Sequence, residues 1–180
     1  LLQKEVSNAM DRCDGIPIDR VAFSKQLQQL AEKWGDETAL VDVSRDGSER
    51  ALSRRELFEA IEKVACHLND RNVQQGDYVV IALPNGYENV VATLAAWQLG
   101  ACCVFMSPKG TDKERNHIHA LFERKLLIST WDCDDEDCIS QQDVRNWIRG
   151  EFPHGAEILP FFACEPSRAI PTGGSSGKPK

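Results

Sequence analysis

Tyr78-Val-Val-Ile-Ala-Leu83, the break Pro84-Asn85-Gly86, the run Tyr87 to Leu99, then Gly100 and Ala101-Cys-Cys-Val-Phe105 follow one another without interruption. The first run is apolar almost throughout, without alternation, as expected of a strand buried on both faces in a parallel sheet. Proline, asparagine and glycine then break it. Tyr87 to Leu99 reads as a helix that turns Val90, Val91, Leu94 and Leu99 toward a core. Gly100 is a helix stop, and Ala101 to Phe105 is the next strand. A strand, a helix and a strand of these lengths predict a right-handed crossover between parallel neighbours.

On the N-terminal side, Val21 to Trp34 predicts a helix with Val21, Leu27, Leu30, Ala31 and Trp34 on its apolar face. Thr38–Val43 and Glu49–Leu52 read as two strands joined by a turn at Asp46-Gly47. Ser53-Arg-Arg-Glu56 is a capping box, in which serine and glutamate each satisfy the other's backbone N–H. Its helix carries Leu57, Ile61, Val64, Ala65 and Leu68 on one face. On the C-terminal side, Thr111-Asp-Lys-Glu114 is a second capping box, opening a helix to about Phe122. His117 and His119 stand two apart, on different helical faces, and are expected to face solvent rather than share a metal. Leu126–Ser129 reads as another buried strand, Ser140–Arg149 as a helix and Glu157–Pro160 as a short strand. The alternation of strands and helices predicts an α/β fold: a wound, largely parallel sheet with flanking helices. There is no internal repeat and no clear linker before residue 171.

The chain has 180 residues, 42% hydrophobic and 27% charged, with a net charge of −7. That length suits one domain or one large piece of a bigger one. The negative balance argues against a general nucleic-acid or membrane-surface binder. No apolar run is long enough to span a bilayer, and the N-terminal stretch has no signal-peptide core. Residues 1–9 are read as a cloning remnant or leader, and residues 10–180 as the folded part. Seven cysteines without a regular framework predict reduced thiols and a cytoplasmic setting. Cys133 and Cys138, which flank Asp134-Asp-Glu-Asp137, are expected to be incidental thiols around a solvated acidic loop.

The chain closes on Pro171-Thr-Gly-Gly-Ser-Ser-Gly-Lys-Pro-Lys180, after a possible strand end at Arg168-Ala-Ile170. Glycines let backbone N–H groups approach a ligand, and a concave row of them binds anions. Hydroxyls and ammonium groups add donors and positive charge. The same composition also describes a flexible linker. The common triphosphatase P-loop is excluded by spacing: Thr172 stands where its first glycine belongs, and Pro179 follows Lys178.

Thr172 to Lys180 resembles the phosphate-binding signature of the adenylate-forming enzymes, a superfamily of acyl-CoA synthetases, luciferases and peptide-synthetase adenylation domains. Gly173 takes a position where that family more often has serine. Leu52 to Ile61 resembles the family's first core motif, with Arg54 or Arg55 replacing the usual aromatic residue. Gly76 to Ala101 and Met106 to Gly110 resemble the stretches that follow. The resemblance covers most of the chain from about residue 20. It implies the N-terminal part of the family's large domain, ending at the phosphate loop.

The implied activity is activation of a small carboxylic acid by ATP and Mg2+, through an acyl-adenylate, followed by thioester formation with CoA. The phosphate contacts it implies are Thr172, Gly173, Gly174, Ser175, Ser176, Gly177, Lys178 and Lys180, with Lys178 at a variable position of the motif. No catalytic residue is assigned within these residues, because the family's magnesium-binding Glu, ribose-binding Asp and catalytic Lys lie downstream. Two alternatives stay open: an adenylation domain that loads a carrier-protein phosphopantetheine, and a non-catalytic binding domain with a partial fold.

Overall fold

The structure, a computed structural model, describes residues 12–13, 16–17, 23–44, 46–131, 136–154, 159, 162 and 168–169. Strands β1 (Arg12–Cys13) and β2 (Ile16–Pro17) form a small antiparallel pair. Helix α1 spans Phe23–Lys33. Strands β3 (Thr38–Val43) and β4 (Glu49–Ser53) form the expected hairpin. Asp46 shapes its turn by accepting from the Ser48 N–H at 3.0 Å and the Ser48 hydroxyl at 2.7 Å. These bonds favour the charged carboxylate and hold its pKa below the ordinary value.

The remaining strands are β5 (Tyr78–Ala82), β6 (Cys102–Phe105), β7 (Arg124–Ser129), β8 (Cys138–Ser140) and β9 (Arg168–Ala169). They make one five-stranded sheet in the order β8-β7-β5-β6-β9, parallel at every pairing. Helix α2 (Arg54–Asp70) precedes them, and α3 (Tyr87–Gln98), α4 (Asp112–Leu121) and α5 (Gln141–Arg149) come between them. This is the wound parallel sheet that the sequence predicts. The Glu157–Pro160 strand expectation falls on a segment of which only Leu159 is among the described residues.

β5 sits at the centre, and its side chains divide by parity. Val79 and Ile81 join α2, α3 and α5 in the main core, with Leu126 and Ile128 of β7. Val80 points the other way and meets Val104 and Ile118 beneath α4. Full burial of such aliphatic side chains is worth about 1.5–3 kcal/mol each. Leu57, Ile61, Val64, Ala65 and Leu68 of α2 are all buried, as their spacing predicts. In α3 the pattern is broader than expected. Val91 and Leu99 are buried, but so are Ala92, Ala95 and Ala96, while Val90 and Leu94 are only half-buried. Wedged against the sheet and α2, this helix is enclosed by apolar contacts on nearly every side, and its alanines allow the close approach.

Both predicted capping boxes are present. Ser53 accepts from the N–H of Glu56 at 3.2 Å while the Glu56 carboxylate accepts from the N–H of Ser53 at 2.8 Å. Thr111 and Glu114 repeat the pattern. A third box, unforeseen, uses Ser140 and Asp143 at the start of α5. Aspartate is one carbon shorter than the usual glutamate, and it still reaches.

Two sequence expectations are corrected. Cys138 is disulfide-bonded. It belongs to β8, fixed beside β7 with its Sγ 3.9 Å from the Ser129 hydroxyl, rather than to an open loop. Cys66, Cys102 and Cys103 are buried and outside any disulfide. Burial first, then the charges of Glu62 and Asp70, push the Cys66 thiol pKa up, which keeps it unreactive. His117 is half-buried rather than solvent-facing, and its Nε2 is enclosed without a hydrogen-bond partner. The side chain of His119 lies outside the described residues.

Thiol counting under denaturing, non-reducing conditions should give fewer than the seven thiols that the sequence supplies. A full count would exclude the bridge at Cys138. A pH dependence follows from His67, which stacks on Trp147 of α5 at 4.6 Å between ring centroids. Burial lowers its pKa, outweighing the upward pull of Asp70, so the folded state favours the neutral ring. The unfolded chain therefore takes up the proton first. The contribution is present above the ordinary histidine pKa and is lost as pH falls below it, toward the folded value. Urea midpoints should fall between pH 7.5 and 5.5, and less steeply in His67→Phe. Equal slopes in the two proteins would show that the stack does not couple to titration.

Candidate active site

In parallel α/β sheets, ligands bind beyond the carboxyl ends of the strands, where adjacent loops leave toward opposite faces. That point lies here between β5 and β6. The loop after β5, Leu83 to Gly86, leads into α3 on the main-core face, and the loop after β6, Met106 to Thr111, leads into α4 on the other. Asn89 donates to the Leu83 carbonyl at 3.0 Å and pins the first loop to its helix. Glu88, in the first turn of α3, is buried and paired with Arg145 of α5.

The second loop closes as a four-residue turn. The Gly110 N–H donates to the Ser107 carbonyl at 2.9 Å, and the Lys109 N–H to the Ser107 hydroxyl at 3.2 Å. Serine first, proline second and glycine fourth suit a type I turn. Beside the turn lies an open groove of about 810 Å³, lined by Phe105, Met106 and Ser107, by Gly110 and Thr111, and by α4 residues including Lys113, Asn116, His117 and Ile118.

From the far end of β7, Trp131 reaches across the sheet to the same turn. Its indole N–H donates to the Pro108 carbonyl at 2.8 Å. Its backbone N–H donates to the Ser129 hydroxyl at 3.2 Å. The Arg115 guanidinium lies 4.3 Å from the centre of its ring and is paired with Asp112. Sequence reasoning did not single out Trp131, because a lone tryptophan after a strand carries no motif.

β9 completes the frame. It runs parallel beside β6 with Cys103 opposite Arg168 and Val104 opposite Ala169, so the strand end expected from the sequence is present. The sequence-predicted phosphate residues Thr172, Gly173, Gly174, Ser175, Ser176, Gly177, Lys178 and Lys180 lie outside the described residues. Counting along the strands, the glycine-rich stretch at Pro171 and the turn segment at Met106 each start two residues past the paired Ala169 and Val104. Among the described residues, no group of three His, Cys, Asp or Glu side chains can hold a metal ion.

The sequence matches the family model of the AMP-binding enzymes over residues 27–161, three quarters of its length. The chain belongs to the AMP-binding enzyme family. This AMP-binding chain is 33% identical over 94 residues to a salicylyl-CoA synthase / salicylate adenylyltransferase from a Streptomyces species, a match that covers 52% of the chain and 16% of the relative. It is 30% identical over 132 residues to the pyochelin synthetase PchE of Pseudomonas aeruginosa, covering 73% of the chain and 9% of that protein. The chain thus spans less than a fifth of the length of these curated relatives. Among solved structures, the N-terminal subdomain of Klebsiella oxytoca NpsA, in complex with 3-hydroxyanthranilyl-AMSN, superposes with a TM-score of 0.73 at 21% identity. That match covers 89% of the chain and 39% of the subdomain, and it supports the α/β fold found here. No described helix is long and apolar enough to cross a membrane.

Proposed function

We propose that the full-length protein activates a small carboxylic acid with ATP and passes the acyl group to the thiol of CoA. Residues 10–180 are its share of the large domain, and residues 1–9 a cloning remnant or leader. A carboxylate oxygen attacks the α-phosphorus of ATP, the bond to the β-phosphate oxygen breaks, and acyl-adenylate and pyrophosphate form. The CoA thiol then displaces AMP. The observation that carries this reading is the placement of β9. Within an AMP-binding fold, β9 runs parallel to β6 toward the carboxyl edge of the sheet, and in sequence it precedes the stretch that this reading assigns to the phosphates.

In this reading Thr172, Ser175 and Ser176 offer hydroxyl donors, and Gly173, Gly174 and Gly177 let backbone N–H groups approach the β- and γ-phosphates. Lys178 and Lys180 offset the charge that builds on the leaving pyrophosphate. Magnesium would neutralise part of the same charge. Its ligands are assigned to the rest of the protein. The cytoplasm is the expected setting. The name of the Streptomyces relative favours CoA and an aromatic acid. Carrier-protein loading is the second reading, favoured by the match along 98% of the chain to a nonribosomal peptide synthetase.

Acid-dependent ATP–pyrophosphate exchange by the full-length protein, over a panel of small acids that includes salicylate, is the direct measurement. Gly174→Val should lower it at least about tenfold, the scale of losing one well-placed donor set, with an unchanged urea midpoint. Exchange at the wild-type rate would remove the phosphate assignment. The 180-residue chain alone should show no exchange, because positioning and charge stabilisation must be supplied together. Acyl transfer to CoA in the same preparation, against none with a carrier protein, separates the two acceptors.

A further inference from the structure

We propose that Trp131 is a positioning residue for the nucleotide site, holding the Ser107–Gly110 turn in place at the carboxyl edge of the sheet. The inference rests on the acid-activating function proposed above. In a four-residue turn closed from Gly110 to Ser107, the carbonyl of the second residue has no partner within the turn. That carbonyl belongs to Pro108, and it accepts the Trp131 indole N–H at 2.8 Å. β7 and β6 are not neighbours, since β5 lies between them. The bond therefore ties together two loops at the carboxyl edge on either side of the central strand. It crosses the edge beside the point where the loops of β5 and β6 diverge.

The tryptophan is itself held from three directions. Its backbone N–H is anchored on Ser129, a fully buried residue of β7. Arg115 covers its ring, and Asp112 steers Arg115. Arg115 and Asp112 both lie in α4, the helix that the turn leads into, so the turn is fixed through its carbonyl and through its helix at once. A side chain that only filled space would need none of this directional support. The turn also has little slack of its own: a Cβ at Gly110 would lie 3.1 Å from the Ser107 carbonyl oxygen and 3.2 Å from the end of Met106. Ser107 and Gly110 line the groove at the carboxyl edge, where parallel α/β sheets bind their ligands, so a displaced turn changes the wall of that crevice.

Trp131→Phe in the full-length protein tests this, because it removes the donor and keeps a ring for Arg115. The expected result is a threefold to tenfold rise in KM for ATP in acid-dependent exchange, the range for one hydrogen bond. kcat should stay within twofold and the melting temperature should be unchanged. Lys109 is exposed, so trypsin should cut the Lys109–Gly110 bond several-fold faster in the variant, with other sites unaffected. Wild-type KM together with wild-type cleavage at Lys109 overturns the proposal. A fall in melting temperature with faster cleavage throughout also overturns it, by reducing Trp131 to a packing role. Absence of acid-dependent exchange in the wild-type protein would instead sink the functional reading, and cleavage at Lys109 would still report whether Trp131 holds the turn.

Discussion

Everything in this chain is arranged about one constraint: β5 has a parallel neighbour on both edges and apolar cover on both faces. A strand in that position has no room for alternation, hence the uninterrupted Tyr78–Ala82 run. It also dictates where the next two helices go. Parallel connections are right-handed. A chain that steps from β5 to β6 and then back past β5 to β7 must therefore place its two crossover helices on opposite faces. α3 packs into the main core and α4 over Val80 and Val104, as that rule requires. The divergence of the loops at β5 and β6, and with it the crevice, is a consequence of strand order and handedness rather than a separate design.

The main-core face carries most of the burial, and its polar contacts serve alignment. Glu88 is buried in the first turn of α3, where the helix dipole favours a negative charge. Its pairing with Arg145 ties α3 to α5. Removing one partner of such a pair leaves an uncompensated charge, which costs about 3–5 kcal/mol when fully buried; Arg145 is partly exposed, so the cost here is smaller. Arg50 of the hairpin lies over the Tyr87 ring at 4.3 Å. Hairpin and sheet are thereby linked at the same loop that begins the crevice. Each capping box adds about 1 kcal/mol at a helix start. Three of them are a sizeable share of a net stability of about 5–15 kcal/mol.

The features legible in the sequence were those with a period or a local rule. Strand β5, helix α2, the hairpin turn and two capping boxes are each determined by residues within a few positions of one another, so the sequence states them directly. β8 escaped because three residues, Cys138–Ser140, are too short to show a pattern, and only pairing with β7 makes them a strand. The same tertiary fact took Cys138 out of an open loop and into the sheet. α3 was read with too narrow an apolar face, because periodicity assumes one wet side, whereas this helix has almost none. In the candidate site, Trp131 and the enclosed His117 carried no such signal, since Trp131 has its partner 23 residues away and the His117 Nε2 has none among the described residues.

One local contact explains how the chain returns from α5 to the far edge of the sheet. The Phe162 N–H donates to the Gln98 carbonyl at 3.1 Å, across the C-terminal end of α3. Gly100 lies beneath that crossing with φ of +73°, and a Cβ there would stand 2.8 Å from the Cβ of Phe162 and 2.9 Å from Gln75. Glycine is thus demanded twice, by the left-handed backbone and by the passing segment. The crossing lies at the amino end of β6, because Ala101 and Cys102 follow Gly100 directly. A chain anchored there and then paired with β6 runs in the same direction as β6, which is the parallel alignment of β9. Reversed, β9 would end at the opposite edge of the sheet, away from both diverging loops. The direction of β9 therefore depends on a glycine about seventy residues earlier, whose only side chain is a hydrogen atom.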